Sequence, residues 1–166
     1  MVTWSGKLEL TSPAFSDGGE IPRKCGYKNG NEKPPLRITV DGGKEFGWTE
    51  VDSLALIMDD PDAMGAVGKV WVHWVVWDIS PGALKDFQYE NSQTPEIAHS
   101  TRGMTDFGEV GYGGPAPPDK RHTYVFKLYA LDSILDLPEG STKSELENAM
   151  EGHIIEQAQL TGTYAP

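Results

Sequence analysis

A chain of 166 residues, 38% hydrophobic and 23% charged, is long enough to bury a core without disulfides or metals; one folded domain spanning residues 1–166 is expected. The formal charge of -11 argues against a general nucleic-acid surface or an anionic membrane surface, since both require a basic patch. Nineteen Gly and twelve Pro point to short strands and turns, and the lone Cys25 offers no internal disulfide and fits a reducing, cytoplasmic setting.

Residues 1–7 lack a basic segment followed by an apolar core, and no apolar run approaches a membrane span. Lys7 to Leu10 and Leu36 to Val40 read as short strands, joined by an ordered, proline-rich loop. Ser53 to Asp60 is an apolar run ending in acid and proline, the pattern of a buried strand that surfaces at a sheet edge and leaves Asp60 at the mouth. Val70 to Ile79 is apolar on both alternating faces and reads as a central strand covered on each side. From Pro81 to Pro118 apolar periodicity is lost, and so long a loop in a compact domain usually serves a site, so a pocket wall is expected there. Thr123 to Leu131 alternates, with Tyr124, Phe126, Leu128 and Ala130 on one face and His122 on that same side. After a turn at Pro138 to Ser141, Thr142 and Glu145 form a capping-box pattern that predicts a helix from Thr142 to about Gln157, with an apolar stripe through Leu146, Ala149, Met150, His153 and Ile154.

Three segments concentrate unusual polar residues. Asp60 precedes Pro61, which biases it to extended geometry, so Asp60 and Asp62 can present carboxylates around one bend; alone, the pair also reads as a solvated acidic turn. His73, between Val72 and Trp74, must find a hydrogen-bond partner in a buried strand; alone, it also reads as a satisfied core histidine. His122 begins a core-facing strand directly after a proline-rigid loop, beside Tyr124, whose hydroxyl also needs a place. His99 and His153 sit in polar contexts and receive no role.

Taken together, Asp60-Pro61-Asp62-Ala63, Trp71-Val72-His73-Trp74, and Tyr112-Gly113-Gly114-Pro115-Ala116-Pro117-Pro118 leading to His122-Thr123-Tyr124-Val125-Phe126 resemble the phosphatidylethanolamine-binding family, also known as Raf kinase inhibitor proteins, in its prokaryotic branch. Ser12 to Phe15, Pro34 to Leu36, and the stretch from Leu137 to Tyr164 extend the resemblance over nearly the whole chain. It implies a mostly β fold with a large central antiparallel sheet, a smaller second sheet and a C-terminal helix, and a small pocket for phosphate or similar anions. By that resemblance Asp60, Asp62, His73, His122 and Tyr124 form the pocket, with Pro61, Ala116 and Pro117 lining it. Two positions depart from the family pattern: Thr123 stands where Arg often follows the histidine, and Ala116 stands for a Gly that lets backbone approach a ligand.

Two carboxylates repel a fully charged phosphate, so the expected compensation is protonated His73 or His122, a Tyr124 hydroxyl, or an ammonium such as that of ethanolamine pairing with Asp60 or Asp62. The implied function is a phosphate or headgroup-binding protein, not an enzyme, with no cofactor and no metal, and with room for a kinase-modulating role, a protein partner or a homodimer. The rival is a metal-dependent or acid-base hydrolase built on the same Asp and His residues. Against it, the sequence has no short His or Cys ligand spacing, nucleophile elbow or phosphate-cradling glycine loop.

Overall fold

The strand at the centre of the main sheet carries no charge until its last two residues, and all eight of its residues are buried. That strand, β3 (Ser53–Asp60), is one of seven in a computed structural model that describes residues 7–41, 51–80 and 100–166. The others are β1 (Lys7–Thr11), β2 (Arg37–Asp41), β4 (Trp71–Ile79), β5 (Thr101–Arg102), β6 (His122–Leu131) and β7 (Ile154–Tyr164), joined by short helices α1 (Ala63–Val67) and α2 (Lys143–Met150). The main sheet runs β5-β4-β3-β6-β7 with every pairing antiparallel, and β1 and β2 form a separate two-stranded antiparallel sheet.

Alternation along β3 sends side chains into two cores. Leu54, Leu56 and Met58 join Trp74, Val76, Tyr124, Phe126 and Leu128 on the face covered by Leu8, Leu10 and Ile38 of the small sheet. Ala55 and Ile57 join Val75 and Trp77 on the opposite face, under Leu146 and Met150 of α2. Double coverage explains the unbroken apolar runs of β3 and β4. Each fully buried large apolar side chain in them contributes about 1.5–3 kcal/mol relative to exposure.

Sequence expectation and structure differ at two places. The central strand is β3, with β4 beside it, although β4 is indeed covered on both faces. The capping box forms, with Glu145 N–H donating to Thr142 Oγ1 at 3.2 Å and Thr142 N–H donating to Glu145 Oε1 at 2.9 Å. The helix it opens stops at Met150, however, and Gly152 takes a left-handed φ of 84°, which a glycine adopts without steric cost. His153 therefore lies past the helix, and Ile154 and Gln157 belong to β7, which pairs with β6 from Leu131↔Ile154 to His122↔Tyr164. The helical stripe beyond Met150 was a strand: pairing the outer edge of β6 outweighed local periodicity. Of the long loop, residues 81–99, including His99, lie outside the described residues.

Candidate functional site

A bulge aims the first site residue. Met58 pairs with Trp74 and Asp59 with Val72, so β4 spends one extra residue there, and that residue is His73. Val72 packs toward the α2 face, while His73 and Trp74 both turn to the other. His73 thereby meets Tyr124 edge-on, with ring centroids 5.1 Å apart, and Phe107 at 5.4 Å. The loop following β5 fixes its tautomer: His73 Nδ1 is 2.7 Å from the Gly113 carbonyl oxygen, which only accepts, so Nδ1 carries the proton and Nε2 a lone pair. Burial pushes the His73 pKa down to about 4, against the weaker upward pull of the Gly113 contact. This loop approaches so closely that a side chain at Gly113 would strike the Phe107 ring, and one at Gly114 the Cys25 carbonyl.

β3 and β6 supply the second cluster. Asp60 Oδ2 lies 2.6 Å from His122 Nδ1, and Asp119 Oδ1 lies 2.7 Å from His122 Nε2. Ionised carboxylates only accept, so both ring nitrogens donate and His122 is an imidazolium held between two negative charges. Burial alone would lower the His122 pKa, but the hydrogen bonds and charges of Asp60 and Asp119 together raise it. Burial raises the Asp60 carboxyl above the usual carboxylate range, partly offset by His122, whereas His122 lowers that of exposed Asp119. Asp60 Oδ1 also accepts from Asp62 N–H at 2.9 Å, and Asp62 Oδ2 accepts from Thr123 N–H at 2.8 Å, tying the Asp60-Pro61-Asp62 turn to β6.

These groups surround a cavity of about 130 Å³ lined by Asp60, His73, His122, Tyr124, Ala116 and Pro118, with Trp71, Phe107 and the α1 residues Ala63, Ala66 and Val67 forming an apolar side. That volume is close to the ~150 Å³ of a cavity able to hold one benzene-sized group. Tyr124 is fully buried, and its Oη has no hydrogen-bond partner among the described residues; the neighbouring Ala116 backbone falls outside bonding geometry. Burial raises the Tyr124 pKa, with the charge of Asp60 adding to it, so the hydroxyl stays protonated and can donate.

The structure therefore brings Asp60, His73, His122, Tyr124 and Ala116 to one cavity. Pro61 and Asp62 brace its rim from the turn and are not among its lining residues, and Pro117 lines a neighbouring 280 Å³ cavity behind the Ala116–Pro118 wall, with Arg23 and Lys28. Sequence reasoning left out Trp71, Phe107 and, above all, Asp119. Only Asp119 carried a signal, as an acid three residues ahead of His122. The expected charge compensation also changes: His73 is neutral through the physiological range, and His122 is charged but has both N–H groups engaged. Among the described residues, no group of three or more His, Cys, Asp or Glu side chains is arranged to hold a metal ion.

The sequence matches the family model described as phosphatidylethanolamine-binding protein over residues 11–165. A UPF0098 protein of Methanothermobacter thermautotrophicus is 42% identical over 159 residues, covering 95% of this chain and 98% of the relative. A UPF0098 protein of Chlamydia trachomatis is 40% identical over 159 residues, again covering 95% and 98%. Among solved structures, a phosphatidylethanolamine-binding protein homologue from Chlamydia trachomatis superposes with a TM-score of 0.79 at 38% identity, covering 96% of this chain and 98% of that one. Escherichia coli YbcL gives a TM-score of 0.76 at 26% identity, covering 95% and 98%.

Proposed function

The chain belongs to the phosphatidylethanolamine-binding protein family, and on that premise we propose that its cavity binds small phosphate-bearing ligands or phospholipid headgroups, without chemical turnover. One observation carries this reading: the buried, unpartnered Tyr124 hydroxyl in a cavity lining that it shares with a neighbouring histidine of fixed tautomer. A buried hydroxyl without a partner costs about 1–3 kcal/mol, a cost that a bound acceptor removes. The two groups ask for complementary partners. Tyr124 Oη–H donates, so it suits a phosphate oxygen, whereas His73 Nε2 accepts, so it suits a ligand donor. A singly protonated phosphate offers both on one group, and an ethanolamine phosphate offers an oxygen and an ammonium, the latter also attracted to Asp60. The apolar side formed by Ala63, Ala66 and Val67 suits the non-polar remainder of such a ligand.

Binding tightens in mildly acid solution. A phosphomonoester dianion takes up one proton near pH ~6, which supplies the donor for His73 and halves the charge brought beside Asp60. His122, with its raised pKa, is also fully charged there. His73, at about 4, adds nothing to the trend between pH 5.5 and 8. Calorimetric titration with phosphate and with phosphoethanolamine at both pH values, on the parent and on Tyr124→Phe, tests the reading. Loss of one hydrogen bond to a charged group predicts a roughly tenfold or greater weakening in the variant. Equal affinity in parent and variant would overturn it.

A further inference from the structure

We propose that Asp119 is an internal competitor for the anion site: its carboxylate occupies the His122 Nε2–H that an incoming anion would take, and thereby sets the affinity and selectivity of the cavity. The inference rests on the anion reading above and adds a residue to it. The two carboxylates on His122 are unlike. Asp60 is buried, 3% exposed, and fixed by a second bond to Asp62 N–H. Asp119 reaches the same ring from a surface loop with its side chain 43% exposed, and its carboxylate has no other side-chain partner among the described residues.

The contact has the form of ligand binding. A carboxylate sits 2.7 Å from the one edge of the imidazolium not already held by the strand framework, beside Pro118, which is itself part of the cavity lining. A solvent-facing group that meets a buried cation is replaceable by an external anion of similar geometry, because the exchange conserves the charge-assisted hydrogen bond while Asp119 regains water. The ionisable groups facing His122 are Asp60 from β3 and Asp119 from its own loop, with Tyr124 neutral beside it on β6, while Asp62 of the adjoining turn bonds the Thr123 backbone N–H. The nearest basic side chain in sequence with a described partner, Arg121, is turned away, toward Glu20 at 3.2 Å and Thr163 at 3.4 Å. While Asp119 is in place two carboxylates outweigh the one imidazolium, so the cavity disfavours a dianion and admits singly charged or zwitterionic ligands. With Asp119 displaced, one negative charge leaves and one donor opens.

Removing the Asp119 charge should therefore strengthen binding, opposite to the effect expected if Asp119 merely props the site. The experiment titrates inorganic phosphate and phosphoethanolamine into the parent, Asp119→Asn and Asp119→Ala by calorimetry at fixed pH and salt. Asp132→Asn serves as the charge control, because it removes an exposed carboxylate that bonds His153 at 2.8 Å, in a different part of the chain. Both Asp119 variants should bind phosphate on the order of tenfold more tightly, the value of one charge-assisted hydrogen bond freed for the ligand. The gain should be larger for phosphate than for zwitterionic phosphoethanolamine, and absent in Asp132→Asn. The His122 ring titration, followed by NMR, should move to lower pH in Asp119→Asn, because one of the two carboxylates that raise it is gone. Parent-level or weaker phosphate binding in both Asp119 variants overturns the competitor role while leaving the anion site standing. Absence of phosphate binding in every protein, the parent included, overturns the anion reading and the competitor with it.

Discussion

Replacing Asp60 by Asn isolates the charge in the Asp60–His122 contact while keeping its shape. Both side chains are almost fully buried, and their atoms lie 2.6 Å apart. Removing one partner of a buried ion pair commonly costs roughly 3–5 kcal/mol. Here Asp119 still holds the far nitrogen, and the Asn carbonyl still accepts from Nδ1–H, so the expected loss is that of one charge-assisted bond, about 2 kcal/mol. For a chain of this length that corresponds to a fall of about 4–8 °C in Tm. The pH dependence follows from the raised His122 pKa. A folded value above the unfolded ~6.5 gives stability that is complete below pH ~6.5 and is lost as pH rises through the folded value. Asp60→Asn should therefore cost most near pH 6. The cost should shrink toward pH 9 as His122 loses its proton, because a buried carboxylate is then itself unfavourable. Urea unfolding of parent and variant at the two pH values measures both numbers. An equal cost at pH 6 and pH 9 would refute the claim that an imidazolium is what Asp60 holds.

Buried Asp59, on the α2 face of the sheet, is held by Lys143 at 2.7 Å and Lys127 at 3.2 Å. Either Lys→Ala change alone should cost about 1 kcal/mol, and the double change several times more, because only then is a buried charge left unpaired; a double-mutant cycle by urea unfolding reads the non-additivity. Thr142→Ala removes the Oγ1 acceptor of Glu145 N–H while leaving the backbone bond to Glu145 Oε1, and should cost about 1 kcal/mol, measured as a lower denaturation midpoint with an unchanged slope. Cys25 is fully buried, and burial pushes its thiol up to about 11. It should resist a thiol-specific reagent at pH 8 in the native protein and react within minutes in concentrated urea; rapid native labelling would contradict its placement.

How far the site could be read from sequence depended on which physics each residue obeys. Asp60, His122 and Tyr124 follow strand ends and two-residue alternation, so their positions at one mouth were legible from pattern together with the family motifs. His73 was legible as a site residue, but the bulge that turns it to the same side as Trp74 was not, since an extra residue on β4 is decided by pairing with β3 rather than by any local propensity. The contribution of the loop was legible only as a location: Phe107 and Ala116 fall within the stretch expected to wall a pocket, yet nothing in that stretch singles out the Phe107 ring. Charge was the least legible. The expectation treated His73 and His122 as equivalent sources of positive charge. Burial and a carbonyl partner make the first neutral, and two carboxylates favour the charged form of the second while occupying both of its N–H groups. At the C-terminal end, the capping box marked the start of α2 correctly. The apolar spacing beyond Met150 fitted a helix as well as a strand, and the open edge of β6 settled it.

The central claim is that one cavity, walled by Tyr124 and His73, receives an anion. A titration of isotope-labelled protein with inorganic phosphate near pH 6, followed through the ring nitrogens of the histidines and the Trp71 indole N–H by NMR, tests it most directly. Anion binding there should shift His73 Nε2, both His122 nitrogens and the Trp71 indole together along one saturable curve, leave His153 still, and be abolished or greatly weakened in Tyr124→Phe. Saturable shifts confined to residues outside this cavity, or no saturable shift at all, would contradict it.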